Sequence, residues 1–422
     1  MKPKTKKLLA IILLVAISIS LIMTYLSLPP QPQPLEDLTQ HYNVTRLTTS
    51  TADDRNLVWS PDGNKIFFKS DSYICVMDSD GSNVTKLAEG RRVTLSTDGS
   101  KIFYRQIKKG LFQAWVMNAD GSRREEIAEF TFIPSVLTTP ILYSWSPDRT
   151  KIVYLINEPT GYGLRIENDS YVRSKHKVEL GDKEWPFLES IWTYWIWDLE
   201  KNETRELTSF EPFERGQLLS GEVVWSPDGK KIALPNPEMT EDSRCEHIWV
   251  IDAENGEKRK LTSFIGVNAW PAWSPDGKKI MYLQSEFEGL IKIQNFDIWV
   301  MDYDGSNKKQ LTESLMHEEG EWSPDGKRIA YISFDSDCLG GFGEKKSHKS
   351  KSEIWVMNAD GTDKKQLLSI PCNNGLIVDM EWSPDGMKVA FVWVPNRDEL
   401  KRDIYVIDVP RMDEEVKNEP KN

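Results

Sequence analysis

Cysteine and histidine are scarce in this 422-residue sequence, which has four Cys and five His. Four cysteines are too few for the disulfide framework that stabilises small secreted domains. The mean hydropathy of −0.49 excludes a polytopic membrane protein. The formal net charge is −12, and no Asp or Glu precedes residue 29. The rest of the chain is therefore strongly acidic and should repel a phosphate backbone, so no nucleic-acid partner is expected.

The chain has one long uncharged segment, and it lies near the N-terminus. Four lysines fall within residues 1–7, and the uncharged run covers residues 8–28. A helix of this length spans about 30 Å, the thickness of the hydrocarbon core of a membrane. We predict a cytoplasmic segment 1–7 and an uncleaved anchor 8–28, with a cleaved signal as the alternative. A proline-rich linker, 29–39, then leads to a body on the extracytoplasmic side of the cell membrane.

The body consists of one motif repeated seven times. The pentapeptide Trp-Ser-Pro-Asp-Gly or a close variant begins repeats 1 to 7 at Trp59, Leu95, Trp145, Trp225, Trp273, Trp322 and Trp382. Each pentapeptide precedes two β-prone runs, a turn and a shorter run, which indicates four strands, A to D, in each repeat. Four-stranded repeats of this length predict an all-β, seven-bladed β-propeller over residues 40–410, followed by a charged tail, 411–422.

The number of strands predicts how the ring closes. Repeat 7 lacks a strand D, whereas residues 43–48 resemble a strand D that precedes repeat 1. We expect this N-terminal strand to pair with strand C of repeat 7, which would remove an exposed sheet edge. An open solenoid is the alternative.

The pentapeptide, together with the later Ile-Trp-Val-Met-Asp run at residues 298–302, resembles the TolB-like, WD-like propeller repeat. The same repeat occurs in the propellers of the prolyl-oligopeptidase group. The resemblance covers about residues 43–408 and implies the fold, without the additional domains of either group. A Gly-x-Ser-x-Gly nucleophile motif is absent from the sequence, so an α/β-hydrolase domain is not expected.

The long insertions fall in the B–C and D–A connections, which lie on one face of a propeller. A rigid scaffold that carries variable loops on one face is typical of a binding protein. The insertion in repeat 3 contains Tyr162 and Trp185 among charged residues. These aromatics indicate either a protein or glycan contact surface or a loop that packs on its own scaffold. We therefore predict a non-catalytic scaffold for a cell-envelope protein or glycan.

A carbohydrate-active enzyme is the second hypothesis. Some TolB-like propellers resemble metal-dependent polysaccharide lyases that use His and carboxylates at the tunnel mouth. Four His occur in or beside the variable loops: His176, His247, His317 and His348. Their spacing does not match a known metal motif, so convergence of three of them in space would be needed to support this hypothesis.

Strand A should line the central tunnel with the residues one and three positions before its last residue. Five of these positions carry carboxylates: Glu222, Glu319, Glu321, Asp379 and Glu381. Arg92 should lie across the tunnel, and the other positions hold Asn56, Val58, Thr94, Leu142, Ser144, Trp270 and Ala272. Crowded carboxylates suit Ca²⁺, the hypothesised cofactor, or a basic ligand. The alternative is a set of solvated, mutually screened side chains.

The four cysteines are expected to have different roles. Cys338 and Cys372 both lie on the variable face in an oxidising compartment, so we predict a disulfide between them. Cys75 replaces the strand-C Trp of repeat 1 and should be a buried free thiol, whereas Cys245 has no evident partner.

Overall fold

The computed structural model describes most of the body. The described ranges are residues 43–49, 52–96, 98–108, 111–130, 143–167, 170–177, 187–213, 222–239, 244–264, 266–285, 287–288, 292–293, 296–313, 316–335, 338, 350–372, 375–394 and 402–410. Within strands, the side chains of 111–112, 127–130, 143, 156–167, 170–177, 187–192, 211–213, 237–239, 244, 287–288, 292–293 and 316–319 are not described. The predicted anchor, linker and charged tail lie outside these ranges. No helix within them is long and apolar enough to cross a membrane.

The described residues form β-strands. In chain order they are β1 (Val44–Arg46), β2 (Asp54–Trp59), β3 (Lys65–Ser70), β4 (Tyr73–Asp78), β5 (Thr85–Glu89), β6 (Arg91–Leu95), β7 (Lys101–Lys108), β8 (Leu111–Asn118), β9 (Glu125–Phe130), β10 (Tyr143–Trp145), β11 (Lys151–Glu167), β12 (Ser170–Lys177), β13 (Phe187–Asp198), β14 (Glu203–Phe213), β15 (Val224–Trp225), β16 (Lys231–Met239), β17 (Arg244–Asp252), β18 (Lys258–Lys260), β19 (Val267–Trp273), β20 (Lys279–Ser285), β21 (Phe287–Glu288), β22 (Lys292–Ile293), β23 (Asp297–Asp302), β24 (Lys309–Gln310), β25 (Met316–Trp322), β26 (Arg328–Phe334), β27 (Lys351–Asn358), β28 (Lys365–Pro371), β29 (Leu376–Trp382), β30 (Lys388–Val394) and β31 (Asp403–Asp408).

These strands build antiparallel sheets that follow the repeats. Four-stranded sheets have the orders β2-β3-β4-β5, β6-β7-β8-β9 and β25-β26-β27-β28. Repeat 3 gives β10-β11-β13-β14, with β12 beside β11. The strands of repeats 4 and 5 form one larger sheet, because Glu246 of β17 pairs in parallel with Val267 of β19. The predicted all-β propeller architecture is therefore present.

Each pentapeptide forms the tight turn between strands A and B. In repeat 1 the Ser60 hydroxyl donates to Asp62 Oδ1 at 2.6 Å and accepts from the Lys65 N–H at 2.9 Å. The Gly63 N–H donates to the Ser60 carbonyl, and Gly63 has φ +71°. A left-handed residue is needed at this position, and glycine adopts that conformation without steric cost.

The pentapeptide Trp joins neighbouring sheets. The Trp382 indole N–H donates to the Glu321 carbonyl of the preceding repeat at 3.2 Å. Trp225, Trp273 and Trp322 make the same bond to the residue before the preceding Trp, at 3.0, 3.2 and 3.2 Å. Each of these Trp residues therefore links its own sheet to the preceding repeat.

Buried apolar side chains form clusters that each combine two repeats. Phe103 of repeat 2, for example, lies 4.0 Å from Trp145 of repeat 3, measured between ring centroids. Such clusters join repeats 1 and 2, 2 and 3, 3 and 4, 4 and 5, 5 and 6, 6 and 7, and 7 and 1. Apolar burial therefore holds consecutive repeats together, and the first and last repeats are neighbours.

The N-terminal strand completes the sheet of repeat 7. The order of this sheet is β1-β31-β30-β29, with Val44 opposite Ile407. The Leu47 N–H donates to the Ile404 carbonyl at 2.8 Å. Arg46 Nη2 lies 2.8 Å from Asp403 Oδ2, whose side chain is almost fully buried. The number of strands in each repeat predicts this pairing.

The structure contains a disulfide between Cys338 and Cys372, whose Cα atoms are 5.4 Å apart. Both residues are fully buried in the core cluster between repeats 6 and 7. Cys75 and Cys245 are buried and free. Burial raises the pKa of the Cys75 thiol to about 11, so this thiol stays protonated at neutral pH.

Candidate ligand-binding site

The ends of the strand-A segments surround a cavity of about 730 Å³. Eleven of the residues predicted to line the tunnel lie in its wall: Asn56, Val58, Arg92, Thr94, Ser144, Glu222, Trp270, Ala272, Glu321, Asp379 and Glu381. Leu142 lies outside the described residues, as does the side chain of Glu319. Strand alternation places these positions on the inner side of the sheets.

Two of the carboxylates bind the backbone of the next repeat. Glu321 Oε2 accepts the Trp382 N–H at 2.9 Å, and Glu381 Oε2 accepts the Trp59 N–H at 3.3 Å. Strand A has a sheet partner on one side only, so N–H groups on its other side need different acceptors. These carboxylates therefore have a structural role in addition to the charge they contribute.

The residue three positions before the Trp often has a left-handed backbone. Asn56, Arg92, Trp270 and Asp379 have φ between 48° and 53°. The ladder between strands A and B shifts register at each of them, which defines a β-bulge. Asp379 Oδ2 also accepts the Asn56 N–H at 3.1 Å. Non-glycine residues in this region are strained, and such strain is concentrated at functional sites.

An ion pair crosses the wall of the cavity. Arg92 Nη1 of repeat 2 lies 3.1 Å from Glu222 Oε1 of repeat 4. The side chains are 52% and 67% exposed, so solvent screens the pair and it contributes little stability. Both charged groups are accessible to a ligand.

Burial raises the pKa of the Glu321 carboxyl to about 8, and the bond from the Trp382 N–H acts in the opposite direction. Glu321 therefore carries a proton through most of the neutral range. The other carboxylates in the described cavity wall are Glu222, Asp379 and Glu381.

Metal-ligating side chains do not converge in the described part of the chain, where no three of His, Cys, Asp and Glu could hold an ion. The calcium hypothesis therefore gains no support. His247 is buried in β17, with 3% exposure. The side chains of His176, His317 and His348 lie outside the described residues, so their predicted convergence stays untested. The same holds for the side chain of Tyr162 and for Trp185.

Sequence reasoning overlooked Arg149 in this wall. Arg149 occupies the fifth position of the pentapeptide of repeat 3, where the other six repeats have glycine. That departure from the repeat was the available signal. An exposed aromatic also lines the cavity: Trp270 is 39% exposed and packs edge-on against Phe296, with 5.3 Å between ring centroids.

No protein-family model matches the chain, and no curated protein matches it. Among solved structures, an oligogalacturonate lyase in complex with manganese is similar at 18% identity and a TM-score of 0.58, over 87% of this chain and 93% of that one. The β-propeller domain of the Trilobed protease from Pyrococcus furiosus is similar at 14% identity and a TM-score of 0.52, over 85% and 95%.

TolB from Acinetobacter baumannii is also similar, at 18% identity and a TM-score of 0.41, over 72% of this chain and 60% of that one. The β-propeller domain of the Trilobed protease is the solved structure that supports the predicted propeller fold. At these identities the likeness concerns the fold.

Proposed function

We propose that this chain is a membrane-anchored, extracytoplasmic, seven-bladed TolB-like propeller that acts as a non-catalytic binding scaffold. Its partner is a cell-envelope protein or glycan that contacts the face of the B–C and D–A loops and carries a basic segment into the central cavity. Support for a closed ring comes from the apolar clusters between consecutive repeats, which include repeats 7 and 1. The uncharged run at residues 8–28 motivates the anchor.

The cavity wall is the observation that carries the binding function. The charged residues of this wall that precede the pentapeptides are Glu222, Asp379 and Glu381 against Arg92, and the same wall contains the apolar side chain of Trp270. Concave sites with apolar walls and a few placed charges are typical of ligand binding. An excess of carboxylates favours a ligand that carries positive charge.

The test is binding of a lysine-rich peptide to the full chain, compared with Glu222→Gln. Glu222 binds no backbone group in the described structure, so the substitution removes charge and leaves the ring intact. We expect about tenfold weaker binding at low salt, which corresponds to ~1.4 kcal/mol. Glu257→Gln, an exposed residue in a turn outside the cavity, is the matched control. Equal losses in the two variants would contradict the proposal.

A metal-dependent carbohydrate-active enzyme is the second candidate, and the similarity to a manganese-bound oligogalacturonate lyase supports it. The acidic wall of the cavity argues against a polyanionic substrate, because like charges repel. Incubation with oligogalacturonate and Mn²⁺, followed by ultraviolet absorbance of the unsaturated product, separates the two candidates. We expect no product. Sustained turnover would favour the enzyme.

The membrane anchor has its own test. Alkaline carbonate should leave the protein in the membrane fraction. Release by carbonate, or a mature N-terminus after residue 28, would contradict an uncleaved anchor.

A further inference from the structure

One arginine occupies a backbone position that glycine fills elsewhere in the chain. Arg149 has φ +58° in the turn after β10. The equivalent glycines, with φ between 67° and 71°, are Gly63, Gly99, Gly229, Gly277, Gly326 and Gly386. A side chain at this φ strains the backbone. The turn itself therefore gains nothing from arginine, and the reason for it must lie in the side chain.

Arg149 lines the cavity, and the Nε atom of its guanidinium has no hydrogen-bond partner in the described part of the chain. Its Nε atom is buried. Burial lowers the pKa of Arg149 to about 10, and Asp148 acts in the opposite direction. Even so, Arg149 stays charged at neutral pH, so a largely desolvated cation faces the cavity.

The nearest carboxylate is engaged elsewhere. Asp148 Oδ1 accepts the Ser146 hydroxyl at 2.6 Å, the Thr150 N–H at 3.1 Å and the Thr150 hydroxyl at 2.9 Å. These bonds fix the turn and occupy Asp148 Oδ1. A largely desolvated cation is costly, and an anionic ligand would reduce that cost.

The carboxylates of the cavity and Arg149 occupy different positions along the strand direction, and Arg92 lies beside the carboxylates. Glu222, Asp379 and Glu381 precede the pentapeptide Trp of their repeats, whereas Arg149 follows Trp145. Apolar side chains also line the wall, with Met281, Leu283 and Met380 among them. A chain with a negative charge on every unit would pass the carboxylates unfavourably. A neutral or basic chain with one negative end would suit both regions.

We propose that Arg149 binds the C-terminal carboxylate of a peptide segment that enters the cavity from the loop face. A guanidinium binds a carboxylate through two parallel N–H···O bonds, which gives directional recognition that an ammonium does not provide. The inference rests on the proposed binding function and specifies which end of the partner enters the cavity.

The test uses a random hexapeptide library in two forms, with a free C-terminal carboxylate and with a C-terminal amide. The immobilised full-length protein selects from each form, and mass spectrometry counts the retained peptides. We expect the wild type to retain the free acids at least tenfold better than the amides. Arg149→Gly restores the residue of the other six turns, so it should fold and melt no lower than the wild type. It should retain both forms equally.

Two further variants separate charge from geometry. Arg149→Lys keeps the charge but cannot form the two parallel N–H···O bonds of a guanidinium. It should give an intermediate preference for the free acids. Arg123→Gly is the matched control, because Arg123 is an exposed arginine with φ +49° in a turn that does not line the cavity. It should keep the full preference of the wild type.

The binding results distinguish failure of the inference from failure of the proposed function. Equal retention of the two forms by the wild type, or a preference that survives in Arg149→Gly, would overturn the inference and leave the binding function standing. Retention of neither form would overturn both. Binding of a uronate trisaccharide that Arg149→Gly abolishes would replace the peptide terminus with a glycan carboxylate as the ligand.

Discussion

Removal of β1 should open the sheet that joins the two ends of the propeller. The strand pairs with β31, and the Ile404 N–H donates to Thr48 Oγ1 at 2.9 Å. Deletion of residues 40–49 would leave the edge of β31 without a partner, and exposed sheet edges pair with other chains. We expect the truncated protein to self-associate and to melt at a lower temperature.

One buried side chain of this segment, Leu47, contributes measurably to the stability of the protein. Leu47 is 6% exposed and packs in the cluster between repeats 7 and 1. Truncation of a buried leucine costs about 2–5 kcal/mol, so Leu47→Ala should cost about 3 kcal/mol. At about 2.1 cal/mol/K per residue, a domain of roughly 370 residues has an unfolding entropy near 0.8 kcal/mol/K. The melting temperature should therefore fall by about 4 °C.

The control is Thr45→Ala, because Thr45 is exposed on the same strand. Exposed substitutions stay within about 0.5 kcal/mol, so its melting temperature should change by less than about 1 °C. Thermal melts followed by tryptophan fluorescence, together with light scattering, measure both quantities. A monomeric deletion variant with an unchanged melting temperature would refute the closure. Equal shifts for Leu47→Ala and Thr45→Ala would refute the packing argument.

Three further predictions concern stability. Replacing Cys338 and Cys372 by Ala opens a loop of 34 residues and should cost about 4 kcal/mol, or about 5 °C in a thermal melt; an unchanged melt would contradict this. Hydrogen bonds from Ser60 and then Asn64 lower the pKa of Asp62 to about 2, so its contribution is present above pH ~4 and disappears as the pH falls to about 2. In Asp62→Asn, the free energy of unfolding should depend less on pH within that window. The same pH dependence in the variant and the wild type would count against this prediction. Burial instead raises the pKa of Glu321 to about 8, so its contribution is complete below pH ~4.3 and disappears as the pH rises to about 8. In urea melts, the free energy of unfolding of Glu321→Gln should rise by about 1–2 kcal/mol relative to the wild type between pH 4.5 and pH 8.5. The figure is reduced because the side chain is only partly buried. An equal difference between variant and wild type at the two pH values would exclude this.

The sequence predicts the scaffold well because the repeat encodes it locally. Each pentapeptide contains a hydroxyl, a proline, a carboxylate and a left-handed residue in the order that one turn needs, so strands A and B follow directly. Alternation along strand A then identifies the residues of the cavity wall. The missing strand D of repeat 7 also identifies β1 as the partner of β31.

The bulges and the bonds of the carboxylates could not be predicted in the same way. Asn56, Arg92, Trp270 and Asp379 share a left-handed backbone but no side-chain chemistry. The backbone geometry is set by how each strand A meets its neighbours, which a local pattern does not contain. Arg149 differs, because its departure from glycine is visible in the sequence, although the direction of its side chain is not.

The concentration of carboxylates in repeat 7 is explained first by the junction between repeats 7 and 1. Asp379 and Glu381 both accept N–H groups of strand A of repeat 1. At the same junction Asp53 Oδ1 of repeat 1 lies 3.1 Å from Arg402 Nη1 of repeat 7. Within repeat 1, Asp53 Oδ2 lies 3.6 Å from Lys69 Nζ. The chain links these two repeats only through β1, which pairs with β31. Non-covalent contacts must therefore hold them together, and partly buried charge pairs supply direction that apolar packing lacks. Glu222 and Arg149 take no part in this junction, so the carboxylate of Glu222 and the guanidinium of Arg149 are charges of the cavity wall that this junction does not explain.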